Sequence, residues 1–219
     1  MSSAVVQLVI MAVIAVVLFM RLRNVLGTRD GFEPKTDTKT PERRGLPKGF
    51  EVIDGGPDRD IADHVDIDSP AGQAFARMKR VEPDFSVTEF QSGARQAYEM
   101  ILMAFERDDL ETLDRFLAAD VYETFESVIR NRQDKGFHID ATFVGVSEMK
   151  IVDADFDERT REAEVTLRFV GELTSVVRNQ QGEVVEGDPN TIKRQSDTWT
   201  FARTMGSDDP NWELVATGG

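Results

Sequence analysis

The hydrophobic residues of this chain change their spacing once, near Gly136, and that change limits the folds it can form. Before Gly136, apolar residues recur every three or four positions, which is typical of helices that bury one face. After it they alternate with polar residues, which is typical of half-buried strands. Helices followed by strands predict an α+β domain, with the helices on one face of a curved antiparallel sheet that wraps them into a cone.

The strongest helix signal begins at Ser86. Ser86 and Glu89 have the spacing of a capping box, and Phe85 and Phe90 have that of a hydrophobic staple. Shorter helices are predicted after Ser69, after Asp109 and after a cap at Asp120, the last ending at Gly136. One apolar face of the long helix is formed by Phe90, Ala94, Ala97, Tyr98, Ile101, Leu102 and Phe105.

Four segments carry the strand pattern. The first runs from Ile139 through Phe143 to Ile151 and is followed by a turn at residues 157–160. The clearest strand places Ala163, Val165, Leu167, Phe169, Gly171 and Leu173 on one side. Two further strands are predicted over residues 192–203 and 211–217, after a hairpin tip at Gln181-Gly182.

An apolar run at the start of the chain predicts a membrane anchor over residues 1–23. From Ala4 to Met20 the one strongly polar residue is Gln7, and a helix of that length spans about 26 Å, at the short end for a bilayer crossing. A signal peptide would carry its basic residues before the run, and a core helix would show a polar face. The cations Arg21, Arg23 and Arg29 follow the run instead. By the positive-inside rule, they predict that the N-terminus lies outside and that the rest of the chain lies in the cytoplasm.

Residues 24–69 read as a flexible linker before a domain at residues 70–219. Five of the eight prolines fall within residues 28–70, among scattered glycines. Residues 21–48 hold eight basic and four acidic residues, whereas residues 49–70 hold one basic and seven acidic residues. The basic half predicts either contact with anionic headgroups or a solvated spacer.

Composition excludes several kinds of chemistry. A formal net charge of −14 argues against a nucleic-acid partner, and the chain has no cysteine and two histidines, His64 and His138. Neither a cofactor nor a metal site is therefore expected, and no nucleotide-binding or hydrolase motif is present. The acidic group Asp153, Asp155, Asp157 and Glu158 lacks the spacing of a calcium loop, which favours a solvated turn.

One enzymatic arrangement remains as an alternative. Cone-shaped α+β folds can use a buried carboxylate and a tyrosine to abstract a proton. In this chain Tyr98 with Asp140 or Asp197 is the pair that fits such a role. The strands that carry Trp199 and Trp212 are interpreted as core or cavity wall.

Several stretches together resemble one protein family. They are L-R-N-V-L-G-T-R-D-G-F after the apolar run, A-Y-E-M-I-L-M-A-F at residues 97–105, L-A-A-D-V-Y-E-T-F at 117–125, D-T-W-T-F-A-R at 197–203 and N-W-E-L-V-A-T at 211–217. The chain is similar to short alphaproteobacterial members of the mitochondrial import inner membrane translocase subunit 44 family. The resemblance implies a cone like that of nuclear transport factor two, with a hydrophobic pocket and no catalytic role.

The resemblance also implies a membrane-anchored adaptor at a bacterial inner membrane, with a periplasmic N-terminus and a cytoplasmic domain. Such an adaptor contacts lipid and binds proteins or peptides during protein translocation or membrane-protein assembly. Mitochondrial members carry a long helical segment that docks a chaperone, and here a short tether takes its place. The alternative function is a pocket for a small molecule or lipid, including an enzymatic one, and a homo-oligomer is compatible with either. Face periodicity and fold analogy predict pocket or protein-binding roles for Phe90, Tyr98, Ile101, Phe125, Ile129, Phe143, Val165, Phe169, Trp199 and Phe201.

Overall fold

The computed structural model describes residues 58–218 of the chain. The predicted anchor over residues 1–23, its flanking Arg21, Arg23 and Arg29, and linker residues 24–57 lie outside this range. Within residues 58–218, no helix combines the length and the apolar character that a bilayer crossing requires.

The helices precede the strands, as the change of spacing predicted. The helices are α1 (Arg59–Ala62), α2 (Pro70–Val81), α3 (Val87–Glu106), α4 (Leu110–Phe116) and α5 (Ala119–Asp134). The strands are β1 (His138–Asp157), β2 (Glu162–Arg178), β3 (Val184–Gly187), β4 (Lys193–Thr204) and β5 (Glu213–Gly218).

The central helix α3 begins where the capping signal placed it. Ser86 is the N-cap, and its Oγ accepts a hydrogen bond from the backbone N–H of Glu89 at 3.2 Å. The rings of Phe85 and Phe90 lie 6.5 Å apart, as a hydrophobic staple requires. Of the predicted apolar face, Phe90, Ala94, Tyr98, Ile101 and Leu102 are buried, and Ala97 and Phe105 are half-buried against the core.

A second acceptor at this helix start comes from a distant part of the chain. The carboxylate of Asp60 accepts hydrogen bonds from Val87 N at 2.7 Å, from Thr88 N at 3.0 Å and from Ser86 Oγ at 3.0 Å. It also pairs with Lys79 Nζ at 2.7 Å. A carboxylate at the positive end of a helix satisfies otherwise unpaired N–H groups and is favoured by the helix dipole.

The folded domain therefore begins earlier than predicted. The linker was expected to extend to residue 69, whereas residues 58–69 pack on the domain. Ile61 is 1% exposed, and His64 Nε2 lies 2.8 Å from Thr88 Oγ1. This segment has too few apolar residues to show a period, so its contacts with α3 leave no local signal.

The sheet is built around β2. Its strands are ordered β1-β2-β4-β5, with β3 paired to the end of β2, and every pairing is antiparallel. The predicted inward set on β2 is confirmed, because Ala163, Val165, Leu167, Phe169 and Leu173 are all buried. Together with the buried faces of the helices, these side chains form the core. The predicted α+β class, with helices packed on an antiparallel sheet, is confirmed.

The edge strand β1 bends at three irregularities. Its register with β2 shifts around Val144, Ser147 and Val152, so that each is an extra residue on β1. Such bulges bend a strand and interrupt its free edge, which discourages pairing with another chain. Val144 and Val152 are 52% and 56% exposed, so these two apolar residues do not belong to the core.

The predicted cap of α5 was wrong. The N-cap is Ala118, which makes no side-chain capping bond, and Asp120 lies inside the first turn. Ala118 N instead donates to Leu214 O at 3.0 Å, next to a bridge between Leu117 and Leu214. Pairing with β5 thus fixes where α5 begins. Gly136, with φ of 67°, follows the helix as predicted.

We expect Asp60→Asn to destabilise the domain. The change removes the charge of an acceptor that serves three donors, and it removes the ion pair with Lys79. A hydrogen bond to a charged group contributes about 1.5–3 kcal/mol to stability. The matched control is Asp63→Asn, because Asp63 is an exposed acid one turn away. Urea unfolding checks the prediction, and equal losses for the two variants would contradict it.

The contribution of Asp60 should also depend on pH. Burial alone would raise the pKa of Asp60, but hydrogen bonds from Lys79, Thr88 and Val87 outweigh it and hold the pKa well below the usual range. Because the pKa is lower in the folded state, the ionised carboxylate stabilises the fold fully above the unfolded pKa of about 4. This stabilisation is lost progressively as the pH falls from that value toward the folded pKa. The difference in free energy of unfolding between wild type and Asp60→Asn should be full at neutral pH and shrink below about pH 4. A difference that stays constant down to pH ~3 would argue against this assignment.

Candidate functional site

Most of the predicted pocket residues form a packed core. Tyr98 is fully buried, lies parallel to the Phe169 ring at 4.4 Å between centroids, and is 4.7 Å from the Trp199 ring. Phe125 packs against Phe105 at 5.0 Å. The buried core also includes Ile101, Ile129 and Val165, with Phe143 packed against it. The remaining two, Phe90 and Phe201, line a groove described below.

A partly buried polar cluster adjoins this aromatic core. Tyr98 Oη donates to Asp197 Oδ2 at 2.6 Å, and Gln195 Nε2 donates to the same oxygen at 2.9 Å. Burial is the largest cause that raises the pKa of Tyr98 far above its usual value, and the hydrogen bond to the Asp197 carboxylate raises it further. The phenol is therefore a neutral, fixed donor at any physiological pH.

This cluster contains one of the two pairs expected for an enzymatic role. Asp197 is the partner of Tyr98, whereas Asp140 lies elsewhere and accepts from Arg178 Nε at 2.7 Å. The absence of a side chain at Gly171 leaves room for the phenol, because a Cβ there would lie 2.5 Å from Tyr98 Oη. Because its hydroxyl donates a hydrogen bond to Asp197 and its ring is enclosed, Tyr98 connects α3 to β2 and β4.

The groove runs beside α3, between that helix, α4 and the residues before β5. Its volume is about 420 Å³. Phe90 and Trp212 approach to 4.6 Å between ring centroids, and Met100 is 42% exposed. The apolar lining comprises Phe85, Phe90, Ala94, Ala97, Met100, Phe116, Phe201 and Trp212. A lining of this size and character suits the apolar side chains of a bound segment.

An ionic clamp supports one wall of this groove. Arg203 Nη2 lies 2.7 Å from both carboxylate oxygens of Glu82, and Arg203 Nη1 donates to Pro210 O at 3.3 Å. The guanidinium lies 5.4 Å from the centroid of the Trp212 ring. Burial would raise the pKa of Glu82, but the bonds from Arg203 and Gly206 outweigh it and lower that pKa. The clamp holds the loop before β5 against the start of α3.

Acidic residues lie along the rim near the start of α3. Asp84 and Glu89 line the groove and are exposed. Neither makes an ion pair with a residue in the range 58–218. Arg115 also lines the groove, and it is paired with Glu111 on its own helix. The free charge at this rim is therefore negative.

Sequence reasoning did not find the groove as a unit. Its signal on α3 is a short row of residues, Gly93, Ala97 and Met100, at spacings of four and three beside the buried face. The row looks like the edge of the core face. The opposite wall comes from α4 and from Trp212, more than a hundred residues later, so the sequence alone did not bring these residues together.

A second cavity lies between the loop after α1 and β1. Its volume is about 470 Å³, and its polar lining includes His64, Asp66, Ser69, Lys150 and Asp153. Over residues 58–218, no three acidic or histidine side chains are arranged to hold a metal ion. At the β1–β2 turn, Asp157 Oδ1 accepts from the backbone N–H groups of Arg159 and Thr160 at 2.7 and 3.2 Å.

A family model described as the Tim44-like domain matches residues 71–219. This range includes all of α3 and every strand. The chain belongs to the Tim44-like domain family. The resemblance deduced from the sequence motifs is thereby confirmed.

Curated relatives of this Tim44-like chain are similar at low identity. The probable mitochondrial import inner membrane translocase subunit tin-44 of Caenorhabditis elegans is 27% identical over 118 residues, covering 52% of this chain and 27% of that protein. Human mitochondrial import inner membrane translocase subunit TIM44 is 23% identical over 146 residues, covering 65% of this chain and 32% of that protein. The matched part is about a third or less of the length of these relatives.

One solved structure is similar over a shorter range. It is the crystal structure of the intermembrane space region of chloroplast protein ARC6, with a TM-score of 0.40 and 14% identity. The similarity covers 58% of this chain and 93% of that structure.

We expect Gly171→Ala to destabilise this Tim44-like domain by about 1–3 kcal/mol, because the added methyl group overlaps the Tyr98 hydroxyl. The matched control is Gly145→Ala on β1, where a Cβ meets nothing within 4 Å. Urea unfolding of both variants gives the comparison. The cost of Gly171→Ala should fall in a Tyr98→Phe background, since the oxygen that it meets is gone. An unchanged cost in that background would show that the strain lies elsewhere.

Proposed function

We propose that the chain is a membrane-anchored, non-enzymatic adaptor that binds proteins or peptides at the cytoplasmic face of a bacterial inner membrane. Its role would lie in protein translocation or in membrane-protein assembly. The observation that carries this proposal is the Tim44-like family match over residues 71–219. The relatives that share this region are named as subunits of the mitochondrial import inner membrane translocase.

The groove beside α3 is the surface that suits such binding. It combines exposed Met100 and the Trp212 ring with an acidic rim at Asp84 and Glu89. Partly exposed aromatic and methionine side chains contribute strongly to protein interfaces, and methionine adapts to different partners. A partner segment that offers apolar side chains and a nearby cation would match both features.

The non-enzymatic part of the proposal rests on the state of the Tyr98 cluster. Tyr98 is fully buried and already donates to Asp197 at 2.6 Å. Proton abstraction needs a group that reaches a substrate atom within hydrogen-bond distance. The cluster instead fits the role of a polar tie inside the core.

The anchor and its orientation rest on the sequence of residues 1–29. An anchor confines the domain near the membrane and raises its effective concentration for partners there. The side chains of Arg21, Arg23 and Arg29 after the apolar run favour the cytoplasmic location of the domain.

Site-specific photo-crosslinking in living cells tests the adaptor role. A photoreactive residue at Gly93 or Met100 lies in the groove, at positions with open space or an exposed side chain. We expect these two positions to crosslink to components of translocation or membrane-protein assembly machinery, identified by mass spectrometry. Crosslinkers at buried positions such as Phe90 or Trp199 would disturb packing and are less suitable.

The control position is Gly145 on β1, where a new side chain also meets open space. β1 is at the opposite edge of the sheet from β5, which follows the groove residue Trp212. If a crosslinker at Gly145 captured the same proteins as crosslinkers at Gly93 and Met100, the result would speak against the groove as the binding surface. No protein adducts at Gly93 or Met100 would speak against the adaptor role itself.

The second candidate function is a binding site for a small molecule or lipid. Cavities of about 420 and 470 Å³ favour it, because small-molecule sites commonly have volumes of about 300–1,000 Å³. Native mass spectrometry of the chain purified from its own membranes should then show a stoichiometric bound species. A spectrum with the unliganded mass alone would count against this candidate.

A further inference from the structure

The exposed side of α3 carries opposite charges at its two ends. Asp84, just before the helix, and Glu89, in its first turn, are exposed and make no ion pair with a residue in the range 58–218. At the other end, Arg107 follows the last helical residue, and it too is exposed and makes no ion pair within that range. Its backbone N–H donates to Met103 O at 3.1 Å, so it continues the helical turn. The side thus begins with unpaired anions and ends with an unpaired cation.

Uncharged residues occupy the same side of the helix between these ends. Gly93, Met100 and Arg107 are seven residues apart, and residues at that spacing share one side of a helix. Gly93 and Met100 are exposed and line the groove. Glu89 lies one turn before Gly93. From its start to its end, this side of α3 is therefore acidic, then uncharged, then basic.

The glycine at residue 93 has no use in the packing among residues 58–218. Glycine is unfavourable in the interior of a helix compared with alanine, because it loses more conformational freedom on folding. A Cβ at Gly93 meets nothing within 4 Å, so no neighbour in this range requires its absence. What glycine provides here is a low point on an exposed helix side, where a second chain can approach the backbone closely.

A second copy of α3 is complementary to this side. Two copies that run antiparallel about a twofold axis place the acidic start of each helix beside the basic end of the other. With the axis midway between Gly93 and Met100, Met100 of each copy lies over Gly93 of the other. Glu89 then lies about 6 Å before Gly93 along its helix, at about 1.5 Å per residue. Arg107 lies about 10.5 Å beyond Met100, and the difference of about 4.5 Å is within the reach of an arginine side chain.

We propose that the chain forms a twofold-symmetric dimer in which α3 packs antiparallel on α3 of a second copy. Met100 of each copy fills the space over Gly93 of the other, and Arg107 of each pairs with the acidic start of the other. Charge decides the occupant, since a surface that complements this side must present a cation and an apolar residue in the reverse order, as α3 itself does. The dimer covers part of the groove, so a partner protein in the adaptor role binds the monomer or displaces the second copy. The dimer itself does not depend on that role.

Disulfide trapping in the full chain tests this arrangement. The chain has no cysteine, so every disulfide reports on introduced residues alone. A variant with both Gly93→Cys and Met100→Cys places the two kinds of cysteine opposite each other across the dimer. Within one copy they are about 10.5 Å apart along the helix, which is too far for a disulfide. The matched controls are Gly93→Cys alone and Met100→Cys alone, because each cysteine then faces a residue without a thiol.

The experiment uses full-length chain, purified in a neutral detergent and oxidised with a copper catalyst. We expect the double-cysteine variant to form covalent dimers about tenfold faster than either single variant. Adding Glu89→Arg or Arg107→Glu to the double variant should slow the reaction several-fold, and adding both should restore most of the rate. High salt should slow the reaction of the unreversed double variant as well. Thermal melting of each variant shows whether the domain is folded.

Native mass spectrometry of the wild-type chain gives a measurement that needs no cysteine. It should show a dimer at about 10 μM, where a micromolar interaction is largely formed, and Arg107→Glu should reduce the dimeric fraction. Equal rates for the double and single cysteine variants, a wild-type chain that is wholly monomeric at about 10 μM, or charge reversals without mutual rescue would each overturn the proposal. These measurements use the chain alone. Their failure is therefore distinct from failure of the adaptor role, which is read from crosslinks in cells.

Discussion

The contact between Tyr98 and the sheet is the constraint on which the rest of the domain depends. The ring lies on Phe169, and the hydroxyl donates to Asp197 across a space that Gly171 leaves open. One side chain thus ties α3 to β2 and β4 by both packing and a hydrogen bond. A buried hydroxyl without a hydrogen-bond partner costs free energy. The pairing of Tyr98 with Asp197 therefore favours one position of α3 on the sheet and one register of the strands. With α3 fixed in this way, its buried face covers the core and its flank is left to form the groove.

The start of α3 is the second point at which distant parts of the chain meet. Asp60 supplies the acceptor there, and Arg203 clamps Glu82 just before the helix. These contacts place the acidic rim and the loop before β5 at one end of the domain. The proposed adaptor role draws on this arrangement.

Much of the fold could be predicted because its signals are local. The capping serine at residue 86, the apolar face through Tyr98 and the alternation from Ala163 to Leu173 each follow from a few neighbouring residues. The α5 cap was missed because a pairing with Leu214 sets that boundary. Bulges in β1 were missed because an extra residue leaves the amino-acid pattern almost unchanged while it turns a side chain to the other face.

The sequence by itself determined the class of the domain, its central helix and strand, and the family to which it belongs. Hydrophobic spacing carries that information, since each element must bury one side whatever it packs against. The tertiary structure alone decided that Asp60 completes a helix start 26–28 residues away, and that Phe90 and Trp212 form one surface. It also decided which of two aspartates accepts from Tyr98. These pairings join residues far apart in the chain, and only the packed register brings their side chains within contact distance.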